Sequence, residues 1–216
     1  MSFQVMMEQL AGGLMKSISI FLLTLLFALP LGLLVSFGRM SRHWLIRSIV
    51  WVFISVLRGT PLMLQLLAVY FGPYYLFNLK IGTTWRFTAI IIAFSVNYSA
   101  YFAEIYRSGI ESMPPGQYEA AQLLGYSKSS TFFRIIFPQV VKRILPSVTN
   151  EVITLVKDTS LAFSLAYADM FTIAKQIAAK ETSFMPFIAA AVFYYVFNAV
   201  VAFGMERIEK ALNYYT

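Results

Sequence analysis

Long uncharged apolar runs alternate with short polar intervals along this chain of 216 residues. Crossing roughly 30 Å of hydrocarbon takes about 20 helical residues. Five runs approach or exceed that length: 17–38, 59–79, 87–106, 146–170 and 182–205. The third carries one internal acid, Glu104, and the fourth is interrupted by Glu151, Lys157 and Asp158, which makes it the weakest on hydropathy alone. The pattern predicts an all-α integral membrane protein with five transmembrane helices, forming a single domain over 1–216.

Two interruptions refine this pattern. Arg58-Gly59-Thr60-Pro61 breaks the apolar stretch that begins at Trp44, because proline is tolerated in a first helical turn and clashes in mid-helix. The second span is therefore expected to start near Thr60. Residues 44–57 then form a separate apolar segment, too short to cross, lying in the interface or against other helices. The polar interval 107–145 is the longest. In it Met113-Pro114-Pro115-Gly116 signals a turn, Tyr118 to Leu124 reads as a short helix, and Gly125 ends it. Ser127 to Ser130 can cap a second short helix with Phe132, Phe133, Ile135 and Ile136 on its apolar face, which Pro138 is expected to terminate. Two short helices joined at a glycine make a compact knob.

Composition agrees that lipid is the solvent: 59% of residues are hydrophobic and 12% charged, and the mean hydropathy is +0.69. The net charge of +7 could suggest nucleic acid, but its distribution argues for the bilayer instead. With the N-terminus outside and five crossings, Arg39, Arg42, Arg47, Arg58, Arg107, Lys128, Arg134, Lys142, Arg143, Arg207 and Lys210 lie inside, against Lys16, Lys80, Arg86, Lys175 and Lys180 outside. This obeys the positive-inside rule and places the C-terminus inside. The first run is too long for a signal-peptide core and is read as a retained helix. With no cysteine and the single His43, no metal site is expected.

Ionisable groups within a span are costly, about 3 kcal/mol each on insertion scales, and usually face a cavity or a partner. Asn97, Tyr101 and Glu104 share one face of the third helix, and Glu151, Thr154 and Asp158 one face of the fourth. Glu151, a full turn inside its span, is expected in a cavity. Asp158-Thr159-Ser160 are cap-forming residues in mid-span, so the fourth helix could break there and offer backbone donors to an anion. Arg58 can anchor a helix end to lipid phosphates, and Gly59, Thr60 and Pro61 could act with it as a gate. Aromatic residues, 17% of the chain, suit interfacial belts, and no cofactor is inferred from them.

The polar interval also carries Glu119-Ala120-Ala121, then Gly125, Ile135 and Phe137-Pro138. This spacing resembles the EAA loop of the inner-membrane subunits of bacterial ABC importers, with Phe137 where leucine is usual. Arg58-Gly59-Thr60-Pro61-Leu62, the Asn97 to Arg107 segment and Lys157-Asp158-Thr159-Ser160-Leu161 extend the resemblance over nearly the whole chain. They are similar to the branch that imports polar amino acids, the histidine, arginine, glutamine and cystine permeases. The resemblance implies a permease of the bacterial inner membrane that works as a homodimer or heterodimer. Its partners would be two separate ATPase subunits, which bind the ATP and dock at Glu119, Ala120, Ala121, Gly125, Ile135 and Pro138, and an extracytoplasmic binding protein or domain. It also implies that Asn97, Glu104, Glu151 and Ser160 contact substrate. The chain contains no Gly-x-x-x-x-Gly-Lys-Ser/Thr phosphate loop, so no ATPase activity of its own is expected. Two other classes fit the composition: an ion-coupled transporter or channel with Glu104, Glu151 and Asp158 as a proton relay, and a membrane scaffold without a pore.

Overall fold

A computed structural model describes residues 2–212, and it contains no β-strand among them. The first helix, α1, covers Phe3–Arg39, and the Ser2 hydroxyl caps it by accepting from the Val5 N–H. It starts well before the expected 17–38 because Lys16 ends the uncharged run without ending the helix. Its buried face carries Gly13, Ser17, Thr24, Ala28, Gly32 and Ser36, mostly four residues apart. Such small residues let backbones approach where there is no hydrophobic force between helices. α4, Thr83–Glu111, lies in that groove: a Cβ on Gly32 would stand 2.8 Å from Phe102 Cβ and 3.1 Å from the Ser99 carbonyl oxygen. Phe94, Tyr98 and Phe102 of α4 are fully enclosed at the centre of the main core.

Between α1 and α4 come α2, Trp44–Gly59, and α3, Leu62–Phe77, which meet at 111° across Thr60 and Pro61. The expected break therefore falls where the proline put it. α2 buries Ile54 against Ala100 and Ala103 of α4. After α4 the chain forms α5, Pro115–Leu123, then one turn, α6, Lys128–Thr131, a π-helical turn over Phe132–Ile136, and α7, Phe137–Asp158.

Pro138 does not terminate the second short helix as expected. It occupies the first turn of α7, and the helical path runs on through it. The preceding π turn explains this: the Phe137 N–H reaches back five residues to the Phe132 carbonyl, and the widened turn relieves the clash of the ring with the residue four before it. Pro146 likewise lies within α7 rather than at its start.

The chain tightens into a 3-10 turn over Thr159–Leu165. Asp158, Thr159 and Ser160 therefore do not start a new helix. The hydroxyls of Thr159 and Ser160 donate back to the Val156 and Lys157 carbonyls, 2.8 Å each, so no free helix N-terminus arises there. The true break follows at Ala166, which takes a left-handed φ of 51°. Asp169 then caps α8, Met170–Glu181, a helix not expected from the sequence. α9, Met185–Leu212, closes the bundle against α7 and α8.

Three of the described helices, α1, α4 and α9, are long and apolar enough to cross a membrane, and the bent α2–α3 pair would make a fourth. α7 is not among them because it carries Lys142, Arg143, Glu151, Lys157 and Asp158.

Candidate functional site

Between α4 and α7, beside the end of α2, lies an open cleft of about 470 Å³. Arg58, Tyr101, Glu104, Arg107, Ser147 and Glu151 are among its walls. The Arg58 guanidinium sits over the Tyr101 ring, 5.2 Å from its centroid, where the ring quadrupole attracts a cation. Glu151 is half-buried and hydrogen-bonds to no described residue; the charges that bear on it are Arg58 and Asp158. It is not paired with Lys157, which is exposed.

The other acids are already engaged. Glu104 accepts from Arg107 at 2.7 Å and has Arg39 at 3.9 Å, while Arg107 also pairs with Glu111. Asp158 accepts from the Tyr98 hydroxyl at 2.8 Å. Glu104 is thus held by arginines, and Asp158 lies outside the cleft wall. Thr154 turns its hydroxyl back to the Asn150 carbonyl, 2.9 Å away. Asn97 is buried and lies outside the cleft wall: its amide donates to the Leu57 carbonyl at 3.1 Å and to Gln65 at 2.9 Å. Of the seven residues expected at a substrate site, the cleft wall contains Tyr101, Glu104 and Glu151 and leaves out Asn97, Thr154, Asp158 and Ser160.

The knob is built as follows. Gly125 takes φ +80° just past α5, and the N–H groups of Gly125 and Tyr126 close back on the carbonyls of Gln122 and Ala121. That pattern satisfies the helix end and favours glycine. Glu119 and Ala120 are exposed and Ala121 is buried. The knob presents Leu123, 90% exposed, with Leu124 and Phe133. At its root Met113, Ile136 and Val140 pack with Tyr118, Ile135 and Ile144. Gln117 and Gln139 exchange amide hydrogen bonds of 2.9 Å, and Arg143 donates to the Ser112 carbonyl at 3.1 Å. The knob is thus fastened to both α4 and α7.

Three structural residues escaped the sequence reading. Gln65 is the lone amide of α3, a signal available in the sequence. Asp169 is fully buried and accepts from the Phe171 and Thr172 N–H groups at 3.3 and 3.1 Å. Gly109 sits against α7, and nothing in its sequence context marks it.

A helical membrane bundle with a polar cleft between two helices and a helical knob joining those same helices has the build of an importer's membrane subunit. Residues 28–214 match the family described as the binding-protein-dependent transport system inner membrane component, and the chain belongs to that family. It is 35% identical over 95% of its length to the L-cystine transport system permease protein TcyB of Bacillus subtilis, covering 87% of that protein. It is 34% identical to the arginine transport system permease protein ArtQ of the same organism, over 93% of this chain and 91% of that one. A crystal structure of an amino acid ABC transporter with histidines superposes with a TM-score of 0.87 at 32% identity, covering 98% of this chain and 99% of that one. An inward-facing methionine ABC transporter shares the fold with a TM-score of 0.76 at 18% identity. The chain is accordingly a permease subunit of an amino-acid ABC importer and not an enzyme, the ATPase being a separate subunit.

Proposed function

We propose that the cleft is the translocation site for a polar amino acid and that Arg58 and Glu151 recognise its two charged groups. The observation that carries this is an unbonded carboxylate and a guanidinium seated on an aromatic face, both on one cleft. An amino acid offers the complement: a carboxylate for Arg58 and an ammonium for Glu151. A cationic side chain could take the place of the ammonium at Glu151. In this reading five spans put the N-terminus outside and the knob inside, with α7 completing the set despite its charges because its polar face lines the path. The knob, with Glu119, Ala120, Ala121, Gly125, Ile135 and Pro138, docks into a cytoplasmic ATPase, a second permease copy completes the path, and a binding protein delivers substrate outside. Gating by Gly59, Thr60 and Pro61 belongs to the same reading.

The test is uptake into vesicles loaded with ATP and carrying the whole assembly. Uptake should survive a collapsed proton gradient and stop without ATP. Arg58→Gln and Glu151→Gln should each lower it by one to two powers of ten, as expected for loss of a charge-assisted hydrogen bond. Full uptake in both variants would remove the assignment.

A further inference from the structure

The geometry points to Gln65 as a positioning residue that, through the α2–α3 elbow, sets where Arg58 stands in the cleft. The inference rests on the Arg58 reading above. A helix end leaves its last four carbonyls without partners, and in hydrocarbon each one left bare is expensive. At the end of α2 side chains fill that role. The Gln65 amide nitrogen lies 2.9 Å from the Leu57 carbonyl, 3.2 Å from the Thr60 carbonyl and 2.8 Å from the Thr60 hydroxyl oxygen. Asn97 of α4 donates to the same Leu57 carbonyl at 3.1 Å and to the Gln65 amide oxygen at 2.9 Å. The Thr60 hydroxyl donates to the Val56 carbonyl at 2.8 Å.

Arg58 lies within this network, one residue after Leu57 and two before Thr60, so the backbone is held on both sides of it. One turn along α4 from Asn97, Tyr101 receives the guanidinium. α4 therefore fixes the backbone around Arg58 with Asn97 and the head of its side chain with Tyr101, and Gln65 is the link that carries Asn97's hold across a 111° bend. Without the Gln65 donors the Thr60 carbonyl loses a partner, the elbow angle is no longer set, and the guanidinium is no longer presented at one place opposite Glu151. Asn97, expected from the sequence to touch substrate, acts here through the elbow.

The experiment is a double-mutant cycle on uptake of a labelled mixture of the common L-amino acids and L-cystine into ATP-loaded vesicles carrying the complete assembly. Gln65→Met keeps the length of the side chain and removes its hydrogen bonds, and Gln65→Glu keeps the acceptor for Asn97 and removes the donors. Each should lower uptake roughly tenfold or more while the assembly still co-purifies with its ATPase, since the knob is untouched. In an Arg58→Gln background the same changes should cost nothing further, because Gln65 acts only through Arg58. Losses that multiply instead would overturn the inference, as would normal uptake in both Gln65 variants beside a defective Arg58→Gln. Normal uptake in Arg58→Gln removes the Arg58 reading and this inference with it. Failure of both Gln65 variants to assemble would assign the residue to folding alone and overturn its positioning role.

Discussion

Gly109→Ala should loosen the joint between the two helices that flank the cleft. A Cβ placed on Gly109 would stand 2.2 Å from Cγ2 of Ile144 and 3.3 Å from Cγ1 of Val140. Carbon atoms rest at about 3.5–4.0 Å, so one methyl group demands a shift of roughly 1.5 Å from Ile144 or from α7 itself. Overpacking of this kind costs about 1–3 kcal/mol. At about 2–4 °C per kcal/mol for a chain of this size, the apparent melting temperature should fall by a few degrees to roughly 10 °C. The assay is the fraction of detergent-solubilised assembly that survives graded heating, read by size exclusion. The cause can be isolated on the partner side. Ile144→Ala removes Cγ2 and, from a half-buried site, should cost about 1–2 kcal/mol alone; combined with Gly109→Ala it should cost little more, since the clash is gone. Ile144→Val keeps Cγ2 and should not rescue. A Gly109→Ala assembly that melts like the parent, or equal rescue by valine and alanine, would refute the packing argument.

Gly125→Leu meets open space around its side chain but forces φ +80° on a branched residue, costing about 1–2 kcal/mol; co-purification with the ATPase and stimulated ATP hydrolysis should fall while membrane insertion is kept. For Glu151→Gln, preference is the informative measurement: a loss of one to two powers of ten shared by neutral and cationic amino acids assigns Glu151 to the α-ammonium, and one confined to cationic amino acids assigns it to the side chain. Asp169→Ala removes acceptors from two N–H groups at the start of α8 and should destabilise the assembly by about 1–2 kcal/mol, seen as a lower apparent melting temperature.

The helices were legible in the sequence wherever apolar length alone decides, as in α4 and α9, and wherever proline leaves no choice, as at Thr60-Pro61. The rest turned on compensations between distant residues or on slight backbone changes. Pro138 reads as a stop until a π turn absorbs it, and no local rule announces a π turn. Asp158-Thr159-Ser160 reads as a cap, but the hydroxyls can equally bond backwards along a continuing helix, and they do so. Asp169, the side chain that does cap, is hidden because it lies at the end of the apolar run 146–170. At the cleft, spacing puts Asn97, Tyr101 and Glu104 on one face of α4; the cleft wall holds Tyr101 and Glu104 and leaves out Asn97, whose partners are Leu57 and Gln65. Gln65 claims Asn97 and Arg107 claims Glu104, so of the acids in the spans Glu151 alone hydrogen-bonds to no described residue. A face can be read from period; a free valence requires the partners.

The knob and the cleft are tied by geometry as well as by chain connection. From Lys128 to Leu165 the backbone is helical without interruption, changing only in tightness. A load applied at the knob therefore enters α7 along a continuous helical path, whose places of bending are the π turn at Phe132–Ile136 and Pro146. At Gly109 the Ile144 side chain of α7 lies against α4 with no room for a Cβ between them, and the lever is reckoned about that contact. Lys128 lies roughly 24 Å along the helix to one side of Ile144 and Glu151 roughly 10 Å to the other, at 1.5 Å per residue. A knob movement of about 3 Å would then reach Glu151 as a little over 1 Å in the opposite sense, with Arg58 held still on α4 through Asn97 and Tyr101. Hydrogen-bond energies fall away over such distances, so a change of about 1 Å between Arg58 and Glu151 suffices to alter their hold on a charged ligand between them. The same lever predicts that Gly109→Ala, which displaces the fulcrum, should reduce uptake more than it reduces ATPase binding. Uptake and co-purification measured on one preparation test this directly: equal losses in both would mean that the contact merely holds the knob in place and transmits nothing to the cleft.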